Sequence, residues 1–138
     1  MAAWLLKTEP SVYSFGDLAR DGSARWDGVA NPVALKNLRT SKVGDAVVIY
    51  HTGDEKAAVG LAEVVRAAYT DPDRDDERLV VIDIAAKKRL AQPVTLATLK
   101  ANRAFVESPL ARQGRLSVVP LSDAQFRELC RLAERPAR

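Results

Sequence analysis

A single cysteine, Cys130, and a single histidine, His51, in 138 residues close off most thiol and metal chemistry at the outset. One thiol forms no internal disulfide, which fits a reducing compartment. No Cys/His cluster is present to ligate a metal, no glycine-rich loop to cradle phosphates, and no nucleophile stands at a recognisable spacing from His51. Neither a cofactor nor a metal is expected. Long apolar runs are missing too. Ala2 to Leu6 is five residues long before Lys7 interrupts it, too short for a signal peptide, and nothing approaches membrane-spanning length. The expectation is a soluble, cytoplasmic, monomeric chain with no membrane partner. Without repeats or low-complexity segments, 138 residues at 47% hydrophobic read as one domain, residues 1–138, large enough to bury its own core.

What is present is an uneven charge. The chain carries a net +3, yet residues 1–69 hold eight basic and eight acidic groups and sum to zero. Between Lys87 and Arg115 seven basic residues (Lys87, Lys88, Arg89, Lys100, Arg103, Arg112 and Arg115) face Glu107 alone, a local excess of +6. Such a face attracts polyanions and releases counterions on contact, or it is simply a solvated basic surface. Asp71-Pro72-Asp73-Arg74-Asp75-Asp76-Glu77 is the opposite pole, read as a solvent-exposed connection whose spacing fits no calcium loop.

Periodicity places the elements. Trp4 to Thr8 alternates as a first strand that Pro10 ends, and Ser14 with Asp17 forms a capping box for a two-turn helix through Arg20. Asn31-Pro32 opens a second helix with Ala34, Leu35 and Leu38 on one face. Asp45 to Thr52 and Ala57 to Tyr69 read as a β-hairpin, Leu79 to Lys87 as a further strand, and Leu116 to Val119 as the last. Thr95 caps a short helix through Lys100, Ser108-Pro109 starts another, and Ser122 with Gln125 caps a final helix bearing Phe126, Leu129, Cys130 and Ala133. The tail Glu134 to Arg138 is expected to fray. The order predicts an α+β domain of about five or six mostly antiparallel strands, closed or nearly closed into a small barrel with short helices across its openings.

Trp26 stands apart from this pattern. It lies beside the turn residues Asp27-Gly28 and the helix start Asn31-Pro32, where a ring either plugs the core beneath the loop or walls a pocket next to free backbone donors. His51, at a strand end, is either a general base or a hydrogen-bonding residue of the pocket or hairpin. Lys7 and Glu9 share a strand face, where they pair with each other or form a charged lip.

In order along the chain, Lys7-Thr8-Glu9-Pro10, Tyr13-Ser14, Trp26-Asp27-Gly28-Val29, Asn31, Val43-Gly44-Asp45, Tyr50-His51-Thr52, Val59 to Val64 and Arg115-Leu116-Ser117-Val118 resemble the successive motifs of the EVE domain, across roughly Ala3 to Cys130. The resemblance implies a fold similar to PUA and YTH domains. It implies a module without catalysis that reads a modified base in DNA or RNA by taking the extruded base into an aromatic pocket. Carried over by position, Trp26 is the stacking wall. Lys7, Thr8, Glu9, Tyr13, Gly28, Asn31, Tyr50, His51, Thr52, Arg115 and Ser117 surround the base. Lys87, Lys88, Arg89 and Arg112 are then the candidates for phosphate contact, and any effector is a separate protein. One departure stands out: many family members carry Arg-Asn-Tyr-Gln where this chain has Ala30-Asn31-Pro32-Val33, so a cation and an aromatic are missing.

Two other classes fit the residues taken alone. One is a small hydrolase or transferase with His51 as base and Glu9 or Asp27 as its partner. The other is a small-metabolite or protein-interaction module in which the basic face is incidental.

Overall fold

A computed structural model describes residues 2–134. The chain runs β1 (Ala3–Thr8), α1 (Phe15–Asp21), β2 (Ser23–Trp26), α2 (Pro32–Thr40), β3 (Ala46–His51), β4 (Ala57–Thr70), β5 (Val80–Thr95), α3 (Leu96–Ala101), a 3-10 turn (Arg103–Phe105), α4 (Pro109–Arg112), β6 (Val118–Leu121) and α5 (Asp123–Glu134). Six strands form one sheet in the order β2-β5-β4-β3-β1-β6. Every pairing is antiparallel except that of β1 with β3. The fold is α+β as expected, but the sheet does not close into a barrel, because the edge strands β2 and β6 each have a single hydrogen-bonded neighbour.

The helix starts form as their capping residues dictate. Ser14 accepts from the Asp17 amide while the Asp17 carboxylate accepts from the Ser14 amide, and Ser122 with Gln125 does the same ahead of α5. Asn31 Oδ1 accepts from the amides of Val33 and Ala34, with Pro32 at the first helical position. Ala34, Leu35 and Leu38 of α2 are buried, as are Leu129, Leu132 and Ala133 of α5.

Three expectations change. A four-residue strand, β2, occupies a stretch to which the pattern assigns no element, just ahead of the Asp27-Gly28 turn. Its alternation is too short to register, and it is held by pairing Trp26 with Ile82 at the sheet edge. β5 continues through the charged stretch Lys87 to Arg89 as far as Thr95, because register shifts let a polar, bulged segment stay paired with β4. The last strand begins at Val118, not Leu116, and carries Pro120, which an edge strand tolerates. Glu134 ends α5, and Arg135 to Arg138 of the expected tail lie outside the described residues.

Two internal fixtures set the positions of β1 and α1. The buried Asp45 carboxylate accepts from the indole N–H of Trp4 at 2.9 Å and from the Lys42 amide at 2.8 Å, tying the first strand to the turn before β3. Gly60 lies so close to Phe15 that a Cβ there would come within 2.3 Å of its ring, so only glycine lets the start of α1 settle on β4.

Candidate nucleic-acid interface

The sheet curls enough for β1 and β2, with three strands between them in hydrogen-bonding order, to wall the same cavity of about 480 Å³. Lys7, Thr8, Val12, Tyr13 and Ser117 form one side, and the run Ala24 to Val29 forms the other. The size suits a small planar ligand. Trp26 is both things the sequence left open: only 7% exposed, it packs into the core and still lines the cavity. Tyr13 meets it edge to face, with ring centroids 6.4 Å apart and planes at 76°. The Tyr13 hydroxyl donates to Asp21 at 2.8 Å, and burial together with that carboxylate pushes its pKa up to about 12.

Lys7 is half-buried on the opposite side. Its Nζ donates to the Gly114 carbonyl at 3.0 Å and stands 5.8 Å from the centre of the Tyr50 ring. Burial, reinforced by the nearby Lys100 charge, lowers its pKa. Thr8 spends its hydroxyl proton on the Tyr13 carbonyl at 2.7 Å, leaving the oxygen's lone pairs as acceptors. Gly28 turns the rim at φ +78°, a conformation that favours glycine, and Arg25 is ion-paired to Asp73 at 2.6 Å. Asn31 and Arg115 line an adjoining depression of about 300 Å³. Asn31 Oδ1 is already committed to capping α2.

Other residues carried over from the family motifs are placed elsewhere. Tyr50 is buried beneath Lys7, and burial raises its pKa. His51 Nε2 accepts the Phe15 amide at 2.9 Å, so its other nitrogen, Nδ1, faces Glu55 at 2.6 Å as the donor. With both nitrogens engaged and the ring 6% exposed, His51 satisfies the N-terminus of α1 and has no nitrogen free to act as a base. The Thr52 amide donates to the Thr8 carbonyl at 2.9 Å. Glu9 does not pair with Lys7: its carboxylate accepts from the Ser11 hydroxyl at 3.2 Å and closes on Gly53.

The basic run is scattered. Lys87, Lys88 and Arg89 are exposed on β5, beginning five residues beyond Ile82, the partner of Trp26, and so roughly 15–25 Å away along the strand. Lys87 reaches Glu63 at 3.4 Å, Arg89 lies over the Phe15 ring at 5.2 Å, and Arg112 pairs with Glu107 at 2.9 Å. None of these four lines the Trp26 cavity. The cations that do are Lys7 and Arg25; Arg25 and Val12 are unmarked by any sequence pattern, while Asp27 lies in the Trp26 motif without having been carried over as a residue around the base.

The acidic connection is not merely solvated. Asp71 is 3% exposed and accepts from Arg74 Nε at 2.6 Å. Arg74 Nη1 in turn donates to the Val29 carbonyl at 3.2 Å, so the loop braces the cavity rim. Among the described residues there is no group of three His, Cys, Asp or Glu side chains able to hold a metal, and no helix long and apolar enough to cross a membrane.

The fold and the cavity define the class: the EVE domain family model matches residues 2–132, and the chain belongs to that family. Mouse thymocyte nuclear protein 1 is 28% identical, the match spanning 95% of this chain and 73% of that protein. The crystal structure of human THYN1 protein in complex with DNA containing 5-methylcytosine superposes with a TM-score of 0.87 at 27% identity, covering 99% of this chain and 100% of that one. The YTH domain of Zygosaccharomyces rouxii MRB1, solved with N6-methyladenosine RNA, shares the fold alone, at a TM-score of 0.58 and 10% identity over 99% and 88% of the two chains.

Proposed function

We propose that this EVE domain is a binding module without catalysis that reads a modified base in DNA or RNA by accepting the extruded base into the cavity between Trp26 and Lys7. The observation that carries the reading is the joint wall built by two distant strands. The Trp26 ring, met edge to face by Tyr13 from the other side, lines the same cavity as a cation and hydroxyls. A flat heterocycle with polar edges is the ligand such a site accommodates. The DNA complex of human THYN1, with 5-methylcytosine in its oligonucleotide, supports the same reading from a relative.

Extruding a base costs a few kcal/mol of unstacking, which stacking and edge contacts must offset. Phosphates on either side then meet Arg25 at the cavity and Arg115 in the second depression, while Lys87, Lys88 and Arg89 serve a longer stretch of backbone. The test is titration of plain and base-modified oligonucleotides, single-stranded and duplex, at two salt concentrations with wild type and Trp26→Ala. Affinity should fall with salt, and Trp26→Ala should lose about 1–3 kcal/mol for the modified base. A folded Trp26→Ala variant that binds every oligonucleotide as wild type does would refute the proposal.

A further inference from the structure

The polar groups at the Trp26 cavity are strongly asymmetric. Lys7 and Ser117 bring donors from the β1 side, and Asp27 is the carboxylate in the lining. Asp27 is exposed on the rim, and among the described residues it makes no hydrogen bond and no ion pair. Its neighbour Arg25 does not neutralise it, since that guanidinium is held by Asp73 at 2.6 Å. The rim segment itself is fixed on either side, by Trp26 in register with Ile82 and by Arg74 on the Val29 carbonyl. A free carboxylate is thus held at the rim of a cavity that Lys7 also lines.

We infer that Asp27 selects for a base bearing an exocyclic amino group, and among pyrimidines for cytosine over thymine or uracil; this rests on the base-reading function proposed above. A carboxylate only accepts, so it pairs with an amino N–H and is repelled by a keto oxygen. An ammonium only donates, so Lys7 suits the ring nitrogen or carbonyl at the other end of the same edge. Cytosine presents that order, an amino group followed by two acceptors. The one N–H on the corresponding edge of thymine sits between two carbonyl oxygens, which places a repelling oxygen beside any contact with Asp27. Discrimination therefore comes from repulsion of the wrong base as much as from attraction of the right one.

The pair 5-methylcytosine and thymine isolates this effect, because both carry the same methyl group and differ along this edge. Short oligonucleotides identical but for one such base are titrated by fluorescence anisotropy against wild type, Asp27→Asn and Trp26→Ala, with thermal melting to confirm that each variant is folded. Wild type should prefer 5-methylcytosine by about tenfold, and Asp27→Asn should bring the two within about twofold, chiefly by binding the thymine strand better. No preference in wild type, or an undiminished preference in Asp27→Asn, overturns the role of Asp27. If Trp26→Ala still weakens binding in that case, the base-reading function stands without it. If Trp26→Ala changes neither titration, both fall together.

Discussion

Arg74 Nη1 donates to the main-chain carbonyl of Val29 at 3.2 Å, linking the acidic connection between β4 and β5 to the rim of the Trp26 cavity. The same guanidinium holds the buried Asp71 carboxylate through Nε, and its Nη2 is buried without a partner. A loop that looked like a solvated spacer thus acts as a brace, holding one cavity wall against the body of the sheet.

Removing the brace should be felt at the cavity without any contact to ligand being lost. Arg74→Met leaves the buried Asp71 carboxylate with the Asp73 amide but without its cation, which costs about 1–3 kcal/mol of stability in chemical denaturation. Oligonucleotide affinity should weaken as the Val29 carbonyl is released. Unchanged stability and unchanged affinity together would show that the bridge contributes nothing.

Gly60→Ala tests the packing beneath α1. The added methyl meets the Phe15 ring at 2.3 Å, so α1 must shift or the strand must bend, at a cost of about 1–3 kcal/mol or more. A variant as stable as wild type in urea would mean that the contact relaxes freely.

His51→Ala separates structure from catalysis. Losing the acceptor for the Phe15 amide and the partner of Glu55 should destabilise the fold by about 1–3 kcal/mol while leaving base binding by the folded fraction close to wild type. A hydrolytic or transfer activity that vanished in a well-folded His51→Ala would restore the role of general base.

Tyr13 sets a pH window. Its pKa is raised from 10 to about 12, by burial first and then by the hydrogen bond to Asp21, so the folded state favours the neutral phenol. That contribution is complete below pH 10 and is lost as pH rises from 10 to about 12. Burial raises the Tyr50 and Tyr69 phenols as well, so phenolate absorbance should show a late alkaline titration from which Tyr13→Phe removes one phenol, together with part of the alkaline loss of stability. A Tyr13→Phe variant with the same alkaline titration would assign the late phase elsewhere.

The parts of the fold legible in the sequence were those decided locally. Ser14 with Asp17, Asn31 with Pro32, and Ser122 with Gln125 each cap a helix through atoms two or three residues apart, so spacing alone revealed them. The β2 strand and the far half of β5 were not legible, because a four-residue edge strand and a charged, bulged strand exist only through their partners. The site divides the same way. Family motifs led to Trp26, Lys7, Thr8, Tyr13, Gly28 and Ser117, all of which line the cavity. The same motifs also included His51, Thr52 and Glu9, whose contacts hold the first helix, the end of β1 and the hairpin turn. A recurrent motif marks the fold as readily as the ligand, and only the curl of the sheet shows which residues face the cavity. Arg25 and Val12 reach it through that curl alone.

The most direct test of the account is a crystal structure of the domain with an oligonucleotide carrying one 5-methylcytosine. The modified base should be out of the nucleic-acid stack and inside the cavity, its ring within about 3.5–4 Å of Trp26 and its edge between Asp27 and Lys7. A base still stacked in the nucleic acid beside an empty cavity, with the protein held only through Lys87, Lys88 and Arg89, would contradict it.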